Sequence, residues 1–348
     1  KMLIFSFKNI FKRQYKMKYI LVPLLILIIG FGIYGTSKVE YLYGSSSLDS
    51  TSKLAEDQEI MTTLFGRYQP LVILFPNETL EQEIQLFQTL SSHPNVISID
   101  ALITHTDPSI PREFLPDELK NVYVGSTHSR MLLLLDIEKE SEESYLLIEE
   151  LYEMASDAYT SFYMIGEFSA LNDIKTSVIE QDLWITLFMM IAVGLIIGVL
   201  FKSLTIPIIL VGLIMSAVWI NMAILYVAGT QVIFIGYLVV MSIQLGATID
   251  YAVLLTNRYM DYRLNMNKKD AMSEAFHRSG LTILISGSIL MIAGFAEGLF
   301  SHIDAIRNIG LLLGKGAFIS FMLTFMFLPT LLVMLDPVIF RKKRIASS

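Results

Sequence analysis

Cysteine is absent from all 348 residues. That excludes thiol nucleophiles, thiolate metal sites and disulfides, and leaves the redox compartment open. Charge is scarce as well. Asp, Glu, Lys and Arg make up 17% of the chain, against about 25% in a typical soluble domain. The five histidines (His93, His105, His128, His277 and His302) show no metal-ligand spacing, and no serine elbow precedes a helix. A phosphate-cradling GxxxxGK[ST] loop is missing too. Its nearest approach, residues 310–316 (GLLLGKG), lacks the final hydroxyl and lies in an apolar run. No enzyme, nucleotide-driven motor, cofactor or metal site is expected, and nucleic acid is not an expected partner.

What the chain does have is apolar surface. Hydrophobic residues make up 53% of it and the mean hydropathy is +0.56, which places it among integral membrane proteins. Six apolar segments can be drawn, at residues 19–34, 183–201, 204–228, 232–257, 281–300 and 310–335. The net charge of −7 conceals a segregation. Residues 37–178 hold 24 acids against 8 bases, and the remainder holds 9 against 18.

Basic residues cluster before the first segment, at Lys202, between Arg258 and Arg278, and in the run Arg341-Lys342-Lys343-Arg344. With alternating spans all four places fall on one side, which is the cytoplasmic side by the positive-inside rule. The expected order is a basic cytoplasmic segment at 1–18, a first span at 19–36 and an extracytoplasmic region at 37–178. Spans two to six follow within 179–336, and a basic cytoplasmic tail at 337–348. A cationic start before an apolar centre also suits a signal peptide. The parity of the charge pattern favours an uncleaved span.

The outer region alternates strand and helix. Residues 70–75 (PLVILF) and 95–102 (NVISIDAL) read as strands, with a helical pattern between them at Leu80, Ile84, Phe87 and Leu90. A second unit follows, with strands at 131–137 and 161–166 and a helix at 144–155. Two β-α-β units in this order predict a ferredoxin-like α+β domain inserted between spans one and two of a six-helix membrane bundle. An extra leading helix is expected over residues 45–65, capped by Asp49 or Ser50.

Asp250 is the residue that points to chemistry. It lies in the inner half of the fourth apolar segment, with Tyr251 beside it. An ionisable group at that depth costs at least about 2.5–3.5 kcal/mol, so it ordinarily faces a bundle interior or a wet cavity and serves a proton or ion pathway. A carboxylic acid in a low-dielectric bundle favours its neutral form, which suits loading and release of a proton. Thr248 on the same span and Ser286 and Ser288 on span five could hydrogen-bond within a relay. Lys315, the second charge inside an apolar segment, sits near the outer end of span six, where a lysine can snorkel to the interface. The close-spaced pairs Gly194 with Gly198 and Gly310 with Gly314 read as tight helix packing.

One outer α+β domain followed by five spans, with an acid in the fourth, resembles one half of an RND-superfamily transporter. The local match is to the MMPL branch. Gly246-Ala247-Thr248-Ile249-Asp250-Tyr251, followed by Arg258-Tyr259, is similar to that branch's fourth-span Gly-x-x-x-Asp-Tyr…Arg-Tyr signature. Ala271, Gly280, Ile309-Gly310 and Pro329-Thr330-Leu331-Leu332 also match in type and order. The resemblance implies half of a proton-driven exporter of lipids or other hydrophobic compounds in the cell membrane. Asp250 and Tyr251 would form the proton relay by facing an equivalent pair on a second half. The implied partners are protons, membrane lipids, a hydrophobic or lipidic substrate, and that second half, either an N-terminal half or an identical protomer. The basic start and residues 244–248 and 313–317 suggest the C-terminal half of a Gram-positive bacterial member. Two other classes share part of the pattern: a Sec-type protein-translocation auxiliary, whose fourth span carries Asn-Asp where this chain has Ile249-Asp250, and a non-transporting sterol-sensing-like membrane sensor.

Overall fold

The structure, a computed structural model, describes residues 7–44, 53–66, 68–77, 80–107, 110, 112–137 and 139–340. The expected cap at Asp49 or Ser50 and the basic run 341–344 lie outside these residues. In chain order the elements begin with α1 (Phe7–Lys16), α2 (Lys18–Thr36), β1 (Tyr41–Leu42), α3 (Lys53–Phe65) and β2 (Gln69–Pro76). Then come α4 (Leu80–Ser91), β3 (Val96–Asp100), α5 (Leu102–His105), α6 (Asp117–Tyr123), β4 (His128–Leu135), α7 (Glu142–Ala158) and β5 (Tyr163–Gly166). The last part holds α8 (Glu167–Phe201), α9 (Thr205–Val227), β6 (Val232–Ile233), α10 (Phe234–Ala247), α11 (Ile249–Arg263), α12 (Lys268–Phe300) and α13 (Asp304–Ile339).

The chain divides into two compact units, residues 50–181 and residues 1–49 with 182–348. The first is an α+β unit. Its four strands form one antiparallel sheet in the order β3-β4-β2-β5. Period-two alternation explains the core: Leu71, Ile73 and Phe75 of β2 and Met131, Leu133 and Leu135 of β4 all turn to one face. Leu86 and Leu90 of α4 and Leu147, Ile148 and Leu151 of α7 cover that face. Ser141 caps α7 by accepting from the Ser144 amide.

The second unit is helical. Among the described residues six helices are long and apolar enough to cross a membrane, the fourth being α10 and α11 taken together. These six helices form a membrane helical bundle. α12 and α13 pack backbone to backbone. A Cβ placed on Gly310 would meet the Gly298 nitrogen at 2.5 Å, and one on Gly294 would meet the Gly314 nitrogen at 2.5 Å. Only glycine permits so close an approach, the usual basis of helix association where lipid removes the hydrophobic drive. Gly194 and Gly198, by contrast, meet Pro207 only at ordinary contact distance, 4.0 and 3.6 Å. α1 is amphipathic, and its Phe7 and Phe11 are buried. Phe7 meets Phe276 and Phe325 edge-on, each at 6.0 Å between ring centroids.

The sequence assigns everything from residue 37 to the outer region, whereas the described residues 37–44 group with the helices. The reason is local pairing: β1 lies parallel to β6, with Tyr41 opposite Val232. Tyr41 also packs on Phe234 and Tyr237, both at 5.4 Å between centroids.

Candidate functional site

The fourth span is interrupted two residues before Asp250. α10 ends at Ala247, and α11 starts at Ile249. The cause is written in the residues around the break. Thr248 turns its hydroxyl back to the Gln244 carbonyl, one turn earlier, and a back-bonded threonine beside Gly246 and Ala247 bends a helix.

Successive helix positions point about 100° apart, so the break leaves Asp250 and Tyr251 on different faces. Asp250 is exposed. It shares the outward stripe of the span with Ile243, Gly246 and Ala247 above it and Asn257 and Arg258 below. A side chain on Gly246 would meet nothing within 4 Å, so the strip beside Asp250 is flat and open. Tyr251 turns the other way and is 3% exposed. Its hydroxyl stands near Thr248 and Ser320 but is buried with no hydrogen-bond geometry to either. Thr248 and Ser320 do meet, the Ser320 hydroxyl donating to Thr248 Oγ1 at 3.1 Å.

The other candidates scatter. Ser286 is exposed and Ser288 half-buried on α12. Lys315 is half-buried and lines a small cavity with Thr230, Gln231, Asn308 and Leu312. It makes no ion pair with Asp250. Among the described residues no three histidine, aspartate or glutamate side chains converge as metal ligands do.

Two groups of residues escape a reading of the sequence. Asn221 on α9 and Gln244 on α10 are fully buried and converge over Gly316 of α13. A Cβ on Gly316 would meet Gln244 Oε1 and Asn221 Nδ2. The only signal in the sequence is a lone carboxamide well inside each apolar run. At the other end of the bundle, Asp336 of α13 is 4% exposed. It accepts from the Tyr259 hydroxyl at 2.6 Å and from Arg263 Nε and Nη2 at 2.9 and 3.2 Å. Arg263 lies over the Phe340 ring as well. Tyr259, part of the Asp-Tyr…Arg-Tyr pattern, thus ties the foot of α11 to the end of α13. Its acid partner lies 77 residues away in sequence.

With this geometry in place, the comparison with protein families is decisive. The sequence model of the MMPL family matches residues 127–348, close to two thirds of the chain. The chain belongs to the MMPL family. No curated protein matches it significantly. The match takes in all of α8 to α13, and so every residue of the interrupted span and its surroundings. MMPL proteins are RND-type membrane transporters rather than enzymes. The six spans of this MMPL chain make it a multi-pass membrane protein with the organisation of one transporter half.

Proposed function

We propose that this MMPL chain is one half of a proton-driven exporter of lipids or other hydrophobic or amphipathic compounds, with Asp250 and Tyr251 as its contribution to the proton relay. One observation carries the reading: Asp250 lies exposed on the outward face of the fourth span. Facing lipid there, its carboxylate would cost at least about 2.5–3.5 kcal/mol. Facing a second half, it acquires polar partners. The flat strip at Gly246 and Ala247 lets another helix come close.

Protonation then acts as a switch. The neutral acid tolerates an apolar contact, whereas the carboxylate demands hydrogen-bond donors and water. Loading and losing a proton therefore favours two different packings of the halves, and their alternation moves substrate. The break at Thr248 gives the span a point at which to bend. The N- and C-terminal ends lie in the cytoplasm on this reading, and the α+β unit lies outside. Its sheet order places the first and third strands at the centre, as the ferredoxin-like arrangement requires, so the unit is read as the porter domain of an RND-type protein.

The test is efflux from proteoliposomes of the complete transporter with and without an imposed proton gradient, comparing wild type with Asp250→Asn. The substitution keeps the size and removes the titration. Gradient-driven efflux lost in a well-folded variant is the expected result. Undiminished efflux would make Asp250 a structural acid and favour a sensor.

A further inference from the structure

We infer that a polar path from the end of the bundle near residues 228–233 reaches Tyr251 through the buried carboxamides Asn221 and Gln244, and that it is the outer entry route for the proton. The inference rests on the Asp250–Tyr251 relay proposed above and names the way into it.

The path starts at a cavity of about 70 Å³ whose walls are mostly apolar, Leu312 among them, and whose polar lining is Thr230, Gln231, Asn308 and Lys315. One water needs about 10–15 Å³. Leu312 links the cavity to the next station, because its carbonyl accepts from Asn221 Nδ2 at 3.0 Å. Asn221 and Gln244 come together over Gly316. Three of their four side-chain polar atoms, Asn221 Oδ1, Gln244 Oε1 and Gln244 Nε2, are buried without a hydrogen-bond partner in the protein. Buried polar atoms in an apolar bundle require partners, and small polar cavities obtain them from water. One helical turn further on, Gln244 is followed by Thr248 and Gly316 by Ser320. These are the two residues already joined by a hydrogen bond. Beyond them comes the buried Tyr251, with its own hydroxyl unpartnered, and another turn along α13 Thr324 is in the same condition.

The chemistry of the stations selects the occupant. Hydroxyls and water accept one proton while giving another, so a proton passes with no net change at any station. Carboxamides do not titrate, but they hold water in register from both sides, as acceptor and donor. A metal cation fits poorly. No carboxylate lies on the path, and Lys315 puts a positive charge at its mouth. Gly316 is required because any side chain there would push the two carboxamides apart.

The test uses the complete transporter in proteoliposomes, with proton uptake under an imposed gradient read by an internal pH dye. Gln244→Met keeps side-chain length and removes both polar atoms. In the folded variant uptake is expected to fall by about a hundredfold, the lower end of what a positioned proton-transfer group supplies. Gln244→Glu, which restores a polar end, is expected to recover most of the uptake. Wild-type uptake in Gln244→Met with Asp250→Asn inactive overturns the path and leaves the relay standing. Wild-type uptake in Asp250→Asn overturns the relay and the path together. Should Gln244→Met fail to fold, Lys315→Cys gives an independent reading on a chain that has no cysteine of its own. Reaction with a membrane-impermeant thiol reagent added from outside is expected, and absence of that reaction overturns the path.

Discussion

Spans two and three have nearly the same mean hydropathy, 2.6 and 2.5, yet 6% of the apolar window of α8 is buried against 72% of that of α9. Hydropathy identifies both as spans and says nothing about what each one touches. α9 is a central helix. Its Ala223 nearly touches α2 at Gly35, where an added Cβ would lie 2.4 Å from that of Ala223. Its Asn221 enters the polar seam. α8 turns Trp184, Phe188, Leu195 and Val199 outward, so these side chains have an apolar solvent to satisfy, and only a few, such as Ile197 and Phe201, are buried. The contrast teaches that the buried polar groups Asn221, Gln244, Thr248 and Asp336 belong to the central helices α9, α10 and α13 and the joint between α10 and α11, while the outward face of α8 is free to vary within the apolar class.

That contrast can be broken most directly at Asp336, another buried group of the central set. Arg263→Ala leaves its carboxylate with Tyr259 alone. The expected loss is about 3 kcal/mol or more, as for other buried pairs deprived of one partner, read as a lowered thermal midpoint in detergent. A smaller loss, about 1–3 kcal/mol, is expected for Ala223→Leu, which overfills the contact between α9 and α2. The matched change on α8, Leu195→Ala, is expected to stay within about 0.5 kcal/mol, as at an exposed site. A loss at Leu195 as large as that at Ala223 would end the distinction between the two spans.

The α+β unit sharpens the comparison, since its most deeply buried acid among the described residues is paired rather than left open. Glu83 of α4 is 1% exposed and bonded to Arg112. Burial pushes its carboxyl above the usual value, and Arg112 only partly offsets this. The folded state therefore holds the proton more tightly than the unfolded chain. The resulting stability is complete below the ordinary glutamate range and is lost as pH rises through the raised value. Hydrogen exchange over residues 80–91 is expected to quicken across that window in wild type and to change less in Glu83→Gln. Asp100 serves as the internal control of opposite sign. Burial raises its carboxyl, but bonds from His105 at 2.6 Å and Tyr123 at 2.8 Å bring it below its usual value. Its contribution is lost as pH falls.

Much of the fold was legible in the sequence, for reasons that differ by region. In the α+β unit the alternation in PLVILF exposes β2, because a pleated strand with one buried face repeats every two residues. In the bundle, residues 183–201 and 204–228 declare themselves by length and composition alone. Asp250 was legible for the same one-dimensional reason, as an acid inside an apolar run. The break at Thr248 was not, since a back-bonded hydroxyl and a neighbouring glycine weaken a helix without marking where it gives way.

By itself, then, the sequence determined that this is a six-span membrane protein with an α+β insertion, and that an Asp-Tyr pair lies in its fourth span. Only the tertiary structure decided that Asp250 faces outward while Tyr251 faces inward, because helix rotation is set by contacts with other spans. Only the tertiary structure, too, assembled Asn221, Gln244, Gly316 and Ser320 into one seam and closed Tyr259 on Asp336. Those residues come from separate helices, and each by itself is a polar or small residue in an apolar run. What makes them a site is the shared removal from solvent, which exists only once the helices have packed.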